Sequence, residues 1–171
     1  LHKRNDHTAI AGAADVDLNL SEQLLIRAAP AAVFALSIDA ARFPGFFRGC
    51  GPIPALREVR LHAPAAVGVT RDVESSDGSC MTETITALVP GQRHAYTLSG
   101  IGPPLAWLVR TGHADWTFAA TTEGTSVTWH YRFALTTPLV APLAAPLLQI
   151  FMRTAMRRCL AAMANTLESP N

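Results

Sequence analysis

The sequence predicts an α+β fold: a curved antiparallel β-sheet of about seven strands wrapped around a long C-terminal α-helix, with two short helices between the first and second strands. Three observations predict it. An alternating first strand is followed by two short helical stretches. Roughly eighty residues of strand-like pattern then run between turns too short for anything but antiparallel neighbours. The chain closes on a helix with an apolar stripe.

Residues 1–14 read as a leader rich in alanine and polar residues, ahead of a single domain over 15–169. From Val16 the side chains alternate, with Val16, Leu18 and Leu20 on one face and Asp17, Asn19 and Ser21 on the other, continuing through Ile26. Pro30 opens a helix in which Val33, Phe34 and Ile38 fall at helical spacing, since proline suits a first turn. Asp39 caps a second short helix, which is expected to break at Phe43-Pro44-Gly45. After a loop through Gly49, Gly51, Pro52 and Pro54, strands are expected near 55–62, 67–75, 79–89, 92–99, 107–120 and 125–136. From Thr137-Pro138 a helical region runs to about Glu168. Pro142 and Pro146 break its hydrogen-bond ladder, so the continuous helix is expected from Pro146. Leu148, Met152, Ala155, Cys159, Met163 and Leu167 form its apolar stripe.

Composition narrows the function. Apolar residues make up 49% and charged residues 16%, which suits a protein lining a cavity as well as a core, and leaves a homodimer interface open. Lys and Arg total 14 against 13 Asp and Glu, so no electrostatic case exists for nucleic acid. Cys50, Cys80 and Cys159 are widely spaced and describe neither a disulfide framework nor a zinc site; they suit the reducing cytoplasm. The polar opening residues do not read as a signal peptide. The uncharged run Leu135 to Met152 carries three prolines and leads into Arg153, Arg157 and Arg158, so no integral membrane span is expected, and these arginines read as the helix's wet face. The scattered histidines give no metal site.

Strand parity sorts the polar residues. A Ser76-Asp77-Gly78 turn pairs Ser75 with Ser79, which sets Val73 opposite Met81 and Arg71 opposite Glu83 on the apolar face. A Pro90-Gly91 turn pairing Val89 with Gln92 sets Ala87 against His94 and Ile85 against Tyr96, with Ala87 and Val89 inward. A Glu123-Gly124 turn sets Trp116 against Tyr131 and Phe118 against Trp129, turns Arg110 inward with them, and places Asp115 opposite Arg132 on the outer face. The expected pocket is therefore Arg71, Glu83, His94, Tyr96, Arg110, Trp116, Phe118, Trp129 and Tyr131, closed by Met152 and Cys159 of the helix. Gly100 to Pro104 reads as a lid over 99–106.

The local wording matches a known family. Ile26-Arg-Ala-Ala-Pro-Ala-Ala-Val-Phe34 with Asp39 and Phe43-Pro44, Val67-Gly68, Glu83-Thr-Ile85, Pro90-Gly-Gln-Arg-His-Ala-Tyr96 and Gly124-Thr-Ser-Val-Thr-Trp129 resemble the START-like (SRPBCC) superfamily, in its polyketide cyclase/dehydrase branch, over residues 16–168. The resemblance implies the helix-grip fold and an internal cavity for a hydrophobic lipid, polyketide-like or isoprenoid molecule, without cofactor. It also implies an alternative, a cyclase or dehydratase acting on a polyketide-like chain, with Arg71 holding a carbonyl and Glu83 or Tyr96 as acid or base.

Overall fold

A computed structural model describes residues 16–169; the leader expected at 1–14 lies outside the described residues. Strand β1 (Asp17–Ile26) is followed by helices α1 (Pro30–Ile38) and α2 (Phe43–Phe46), then by β2 (Leu56–Leu61), β3 (Thr70–Ser75), β4 (Cys80–Val89), β5 (Arg93–Ser99), β6 (Val109–Thr121) and β7 (Gly124–Leu135). The strands form one antiparallel sheet in the order β1-β7-β6-β5-β4-β3-β2. Consecutive strands from β2 to β7 are thus neighbours, as their short connections require. Its concave face holds the helix, completing the helix-grip arrangement.

The second short helix starts later than expected. Asp39 Oδ1 accepts the backbone N–H groups of Ala41 and Arg42 at 3.0 Å, shaping a turn, and α2 then begins at Phe43 itself. Pro44 lies in its first turn, where a missing N–H costs nothing, so Phe43-Pro44-Gly45 makes the helix rather than ending it.

The C-terminal helix also begins earlier than Pro146. A short turn at Pro138–Val140 leads into α3 (Ala141–Leu147), a wider stretch Leu148–Met152, and α4 (Arg153–Glu168). Pro146 lies inside α3, and the chain stays helical by loosening immediately afterwards: the Arg153 N–H reaches back to Leu148 O, five residues away. By length and composition Pro138–Glu168 could cross a membrane. Of its most apolar stretch 28% is buried, while Ala155, Met156, Cys159, Leu160 and Met163 farther along are fully buried in the core. Arg153 and Arg157 are not simply solvated. Arg153 Nε donates to Glu22 Oε1 at 2.7 Å and Arg157 Nε lies 3.4 Å from Oε2, pinning α4 to the buried carboxylate on β1.

The register of the β3–β4 hairpin places Val73 opposite Met81 and Arg71 opposite Glu83, with Gly78 at φ +84° in the turn. The β4–β5 hairpin keeps the expected Ile85–Tyr96 pair but departs from the expected pairing nearer its turn, and the β6–β7 hairpin departs from it by a register shift. In β4–β5 a bulge between Ile85 and Ala87 adds one residue, so Leu88 faces His94 and Val89 faces Arg93; Leu88 packs on the core while Val89 is exposed. In β6–β7 Thr121 pairs with Gly124, so Trp116 faces Trp129 and Phe118 faces Val127. That shift is two residues and preserves the face of each side chain from Gly112 to Phe118. Asp115 consequently lies opposite His130, not Arg132, and its carboxylate pairs with Arg93.

Candidate functional site

The β3–β4 turn aligns a buried ion pair. Arg71 Nε donates to Glu83 Oε2, and both side chains are more than nine-tenths sealed from solvent. The guanidinium carbon lies 4.8 Å from the centroid of the Tyr96 ring, an arrangement that adds cation–π attraction to the ion pair. Two directions of proton affinity oppose each other here. Burial works against the charge on Arg71, and Glu83 holds it charged. Burial raises Glu83 above the ordinary carboxylate range, and Arg71 offsets that only in part. The carboxyl's direction governs pH behaviour, because a guanidinium does not titrate in the accessible range.

Next to the pair, the Tyr96 and Tyr131 hydroxyls lie 3.3 Å apart. Burial pushes both phenols above their ordinary value, so each keeps its proton and can donate to a ligand oxygen. Tyr131 also stacks on Phe133, with ring centroids 4.7 Å apart.

These groups face a cavity lined from the loops by Ile53 and the 101–105 segment, from α2 by Phe43, from the sheet by Val73 and Met81, and from the helix by Met152. It leaves about 80 Å³ in which the centre of a water-sized sphere can move, within about 810 Å³ of atom-free space counted out through its mouth. A dry cavity of roughly 150 Å³ takes a single benzene, so a larger ligand must reach into the mouth or move the rim. The lining contains no Lys, Arg or His among the described residues; its charged groups are Glu83 and Asp77. Asp77 is occupied at the turn, where it accepts the Ser79 backbone N–H at 3.0 Å and its hydroxyl at 2.7 Å.

Of the residues expected from sequence, Glu83, Tyr96, Trp129, Tyr131 and Met152 line this space, and Arg71 supports it from behind Glu83. Others must be moved. His94, Trp116, Phe118 and Cys159 are buried in packed core. Trp116 stacks on Trp129 at 4.0 Å and meets Phe43 edge-on, while Phe118 is capped by Phe34 of α1. Cys159 is enclosed by the helix–sheet contact, and burial raises its thiol. His94 lies 3.5 Å through Nδ1 from Ser37 Oγ, whose own proton goes to Phe34 O; Nδ1 therefore carries the imidazole proton. Burial, aided by Arg71, lowers its pKa to about 3. Arg110 is exposed, because a bulge between Val109 and Thr111 turns Val109 inward in its place.

The sequence reading missed Ser75, Phe43, Phe47, Ile53 and Met81 as lining residues. Ser75 was within reach: it continues the inward series Arg71, Val73, Ser75 along one strand. The rim residues gave no signal, because irregular loops carry no period.

The family described as Polyketide cyclase / dehydrase and lipid transport matches residues 18–168. No curated protein matches the chain by sequence. Among solved structures, the chain is similar to the di-domain ARO/CYC BexL from the BE-7585A biosynthetic pathway, with a TM-score of 0.71, 17% identity and 91% of this chain covered. The chain spans about half of that protein, 51% of its length. Truncated norcoclaurine synthase from Thalictrum flavum aligns with a TM-score of 0.73 and 12% identity, covering 95% of this chain and all of the other. Ara h 8.0201 aligns with a TM-score of 0.66 and 16% identity, covering 91% of this chain and all of the other. At these identities the likenesses establish the fold alone.

Proposed function

The chain belongs to the polyketide cyclase/dehydrase and lipid-transport family, and from that premise we propose that it binds a neutral, flat hydrophobic molecule, polyketide-like, isoprenoid or lipid, in the cavity beneath the 101–105 loop. One observation carries this reading. The cavity walls are apolar and aromatic, the buried Glu83 already has its cation, and no cation in the lining remains to receive an anionic ligand. Charge on a ligand would therefore be desolvated without compensation. The 101–105 loop acts as the lid, and Met81 and Met152, unbranched and adaptable, accommodate ligand shape.

Titration with 1-aminoanthracene, read by quenching of tryptophan emission, tests the proposal. One saturable site per chain is expected, because Trp129 lines the cavity. Absence of saturable binding overturns it. A cytoplasmic location and a homodimer complete the proposal, the latter favoured by Leu139, Leu143 and Ile150, which stand exposed along an uncharged helical stretch. A monomer in light scattering would remove the dimer.

The phenol pair favours one further reading, a cyclase or dehydratase. Tyr96 or Tyr131 would hydrogen-bond a substrate carbonyl, and Glu83 would take the proton from the adjacent carbon as the new bond forms. Turnover of a polyketide-like chain that disappears in Glu83→Gln, with folding retained, would establish it; equal turnover in that variant would exclude Glu83 as the base.

A further inference from the structure

Among the described residues, four buried polar side-chain atoms lack a hydrogen-bond partner: Ser75 Oγ, His94 Nε2, Trp116 Nε1 and Trp129 Nε1. Buried polar groups are normally paired, so each requires an explanation. His94 and Trp116 do not line the cavity, and the Trp116 N–H is directed toward the Tyr96 hydroxyl without meeting hydrogen-bond geometry. Ser75 and Trp129 both line it.

The turn that follows Ser75 does not use its hydroxyl. The Ser75 backbone N–H goes to Ser79 O at 2.8 Å, its carbonyl receives the Gly78 N–H at 3.0 Å, and Asp77 is satisfied by Ser79. Ser75 is nevertheless 1% exposed, so bulk water does not serve it. Trp129 likewise contacts aromatic faces: Trp116 stacked at 4.0 Å and Phe47 edge-on at 6.1 Å.

Resting on the cavity-binding reading, we propose that the Ser75 hydroxyl and the Trp129 indole N–H are the donors that receive carbonyl oxygens of the bound molecule, so that the cavity selects neutral ketone- or quinone-like ligands over hydrocarbons of the same shape. An indole N–H only donates, which fixes an acceptor on the ligand at that end. The nearby carboxyls of Glu83 and Asp77 make that acceptor a neutral carbonyl, not a carboxylate. Ser75 is on β3 and Trp129 on β7, with β4, β5 and β6 between them in the sheet. A ligand meeting both donors therefore carries its carbonyls at opposite ends.

Binding of 2,6-diacetylnaphthalene and its isostere 2,6-diethylnaphthalene to the full chain, by isothermal titration calorimetry, tests this. In the wild type the diketone is expected to bind about tenfold more tightly, the scale of one to two net hydrogen bonds. Ser75→Ala and Trp129→Phe should each cut that advantage, read as the ratio of the two affinities within one variant, to about threefold. Ser75→Ala should not lower the melting temperature of the unliganded protein, since its hydroxyl has no internal partner to lose. Equal affinity for the two probes in the wild type overturns the inference and leaves cavity binding standing, as does an advantage that survives both substitutions. A lower melting temperature in Ser75→Ala overturns the role of Ser75 by revealing a structural partner. Binding of neither probe to the wild type overturns the cavity reading beneath it.

Discussion

The concave face of the sheet is filled in two ways along its length. Toward the β4–β5 turn, α1 lies on it: Phe34 covers Phe118, Ser37 meets His94, and Trp116 is enclosed by Trp129, Phe118 and Phe43. Toward the β3–β4 turn, loops take the place of α1. Ile53 and the 101–105 segment rim a cavity whose far wall is Glu83, Tyr96 and Tyr131. Both ends use inward aromatic side chains on alternating strand positions, so strand chemistry does not separate core from pocket. What packs above the strand does. The closed end keeps its titratable group neutral, with His94 held far below its ordinary pKa, whereas the open end keeps a charged guanidinium in contact with a carboxyl.

The sharpest break between the two ends is steric. Trp116→Ala removes a fully buried indole stacked on two aromatic neighbours and should cost about 4 kcal/mol in urea unfolding. Met81→Ala, on a half-buried cavity wall, should cost no more than about 2 kcal/mol and enlarge the space available to a probe. Equal losses at the two positions would mean that the open end is packed core and not a site.

Electrostatics sharpen the comparison next. Arg71→Met leaves Glu83 buried without its cation and should cost about 3 kcal/mol at neutral pH. A carboxyl whose folded pKa is raised contributes stability that is fully present below its unfolded value and lost as pH rises through the folded one. The variant's deficit should therefore shrink as pH falls toward the ordinary carboxylate range. Arg71→Met combined with Glu83→Gln should recover much of it. A loss below about 1 kcal/mol without pH dependence would place the pair in solvent and remove it from the site.

His94 at the closed end works in the opposite sense. Its folded pKa is depressed to about 3, so below the ordinary histidine range the unfolded state gains a proton that the folded state refuses. Its contribution should fall by about 2 kcal/mol between pH 7.5 and pH 5, at about 1.4 kcal/mol per unit below the unfolded pKa. The readout is the difference between wild type and His94→Gln across that interval. A flat difference would mean that His94 protonates freely and that the closed end admits water.

The division between the ends was only half legible in the sequence. Alternation and the Gly78 turn placed Arg71 opposite Glu83, because turn type and apolar pattern are both local and both agreed. Bulges were not legible. One extra residue at Thr86 exchanged Ala87 and Val89 for Leu88, and another beside Arg110 put that guanidinium outside, with no compositional mark at either place. The π turns after Pro146 were hidden for the same reason: a ladder defect can be absorbed over five residues as readily as it can end a helix. The cavity itself depends on which strand positions α1 leaves uncovered, a tertiary fact that strand periodicity does not encode.

The smallest expected effect isolates the open end most cleanly. Tyr131→Phe removes one hydroxyl from the Tyr96–Tyr131 pair and leaves the ring stacked on Phe133. At 3.3 Å the lost hydrogen bond is long, and its net worth is about 1 kcal/mol or less. Because burial keeps both phenols protonated, that cost should not change across the neutral range. Tyr96→Phe should cost about as much, and the double variant little more than either, since both single changes break the same bond. Probe binding should respond differently. With Tyr131 gone, the Tyr96 hydroxyl loses its neighbour but remains on the cavity wall, so a carbonyl-bearing probe should be held at least as well as in the wild type. A hydrocarbon probe should be indifferent. A loss near 3 kcal/mol would instead make the phenol pair a structural tie like the packing around Trp116, and the two ends of the concave face would then differ in shape without differing in role.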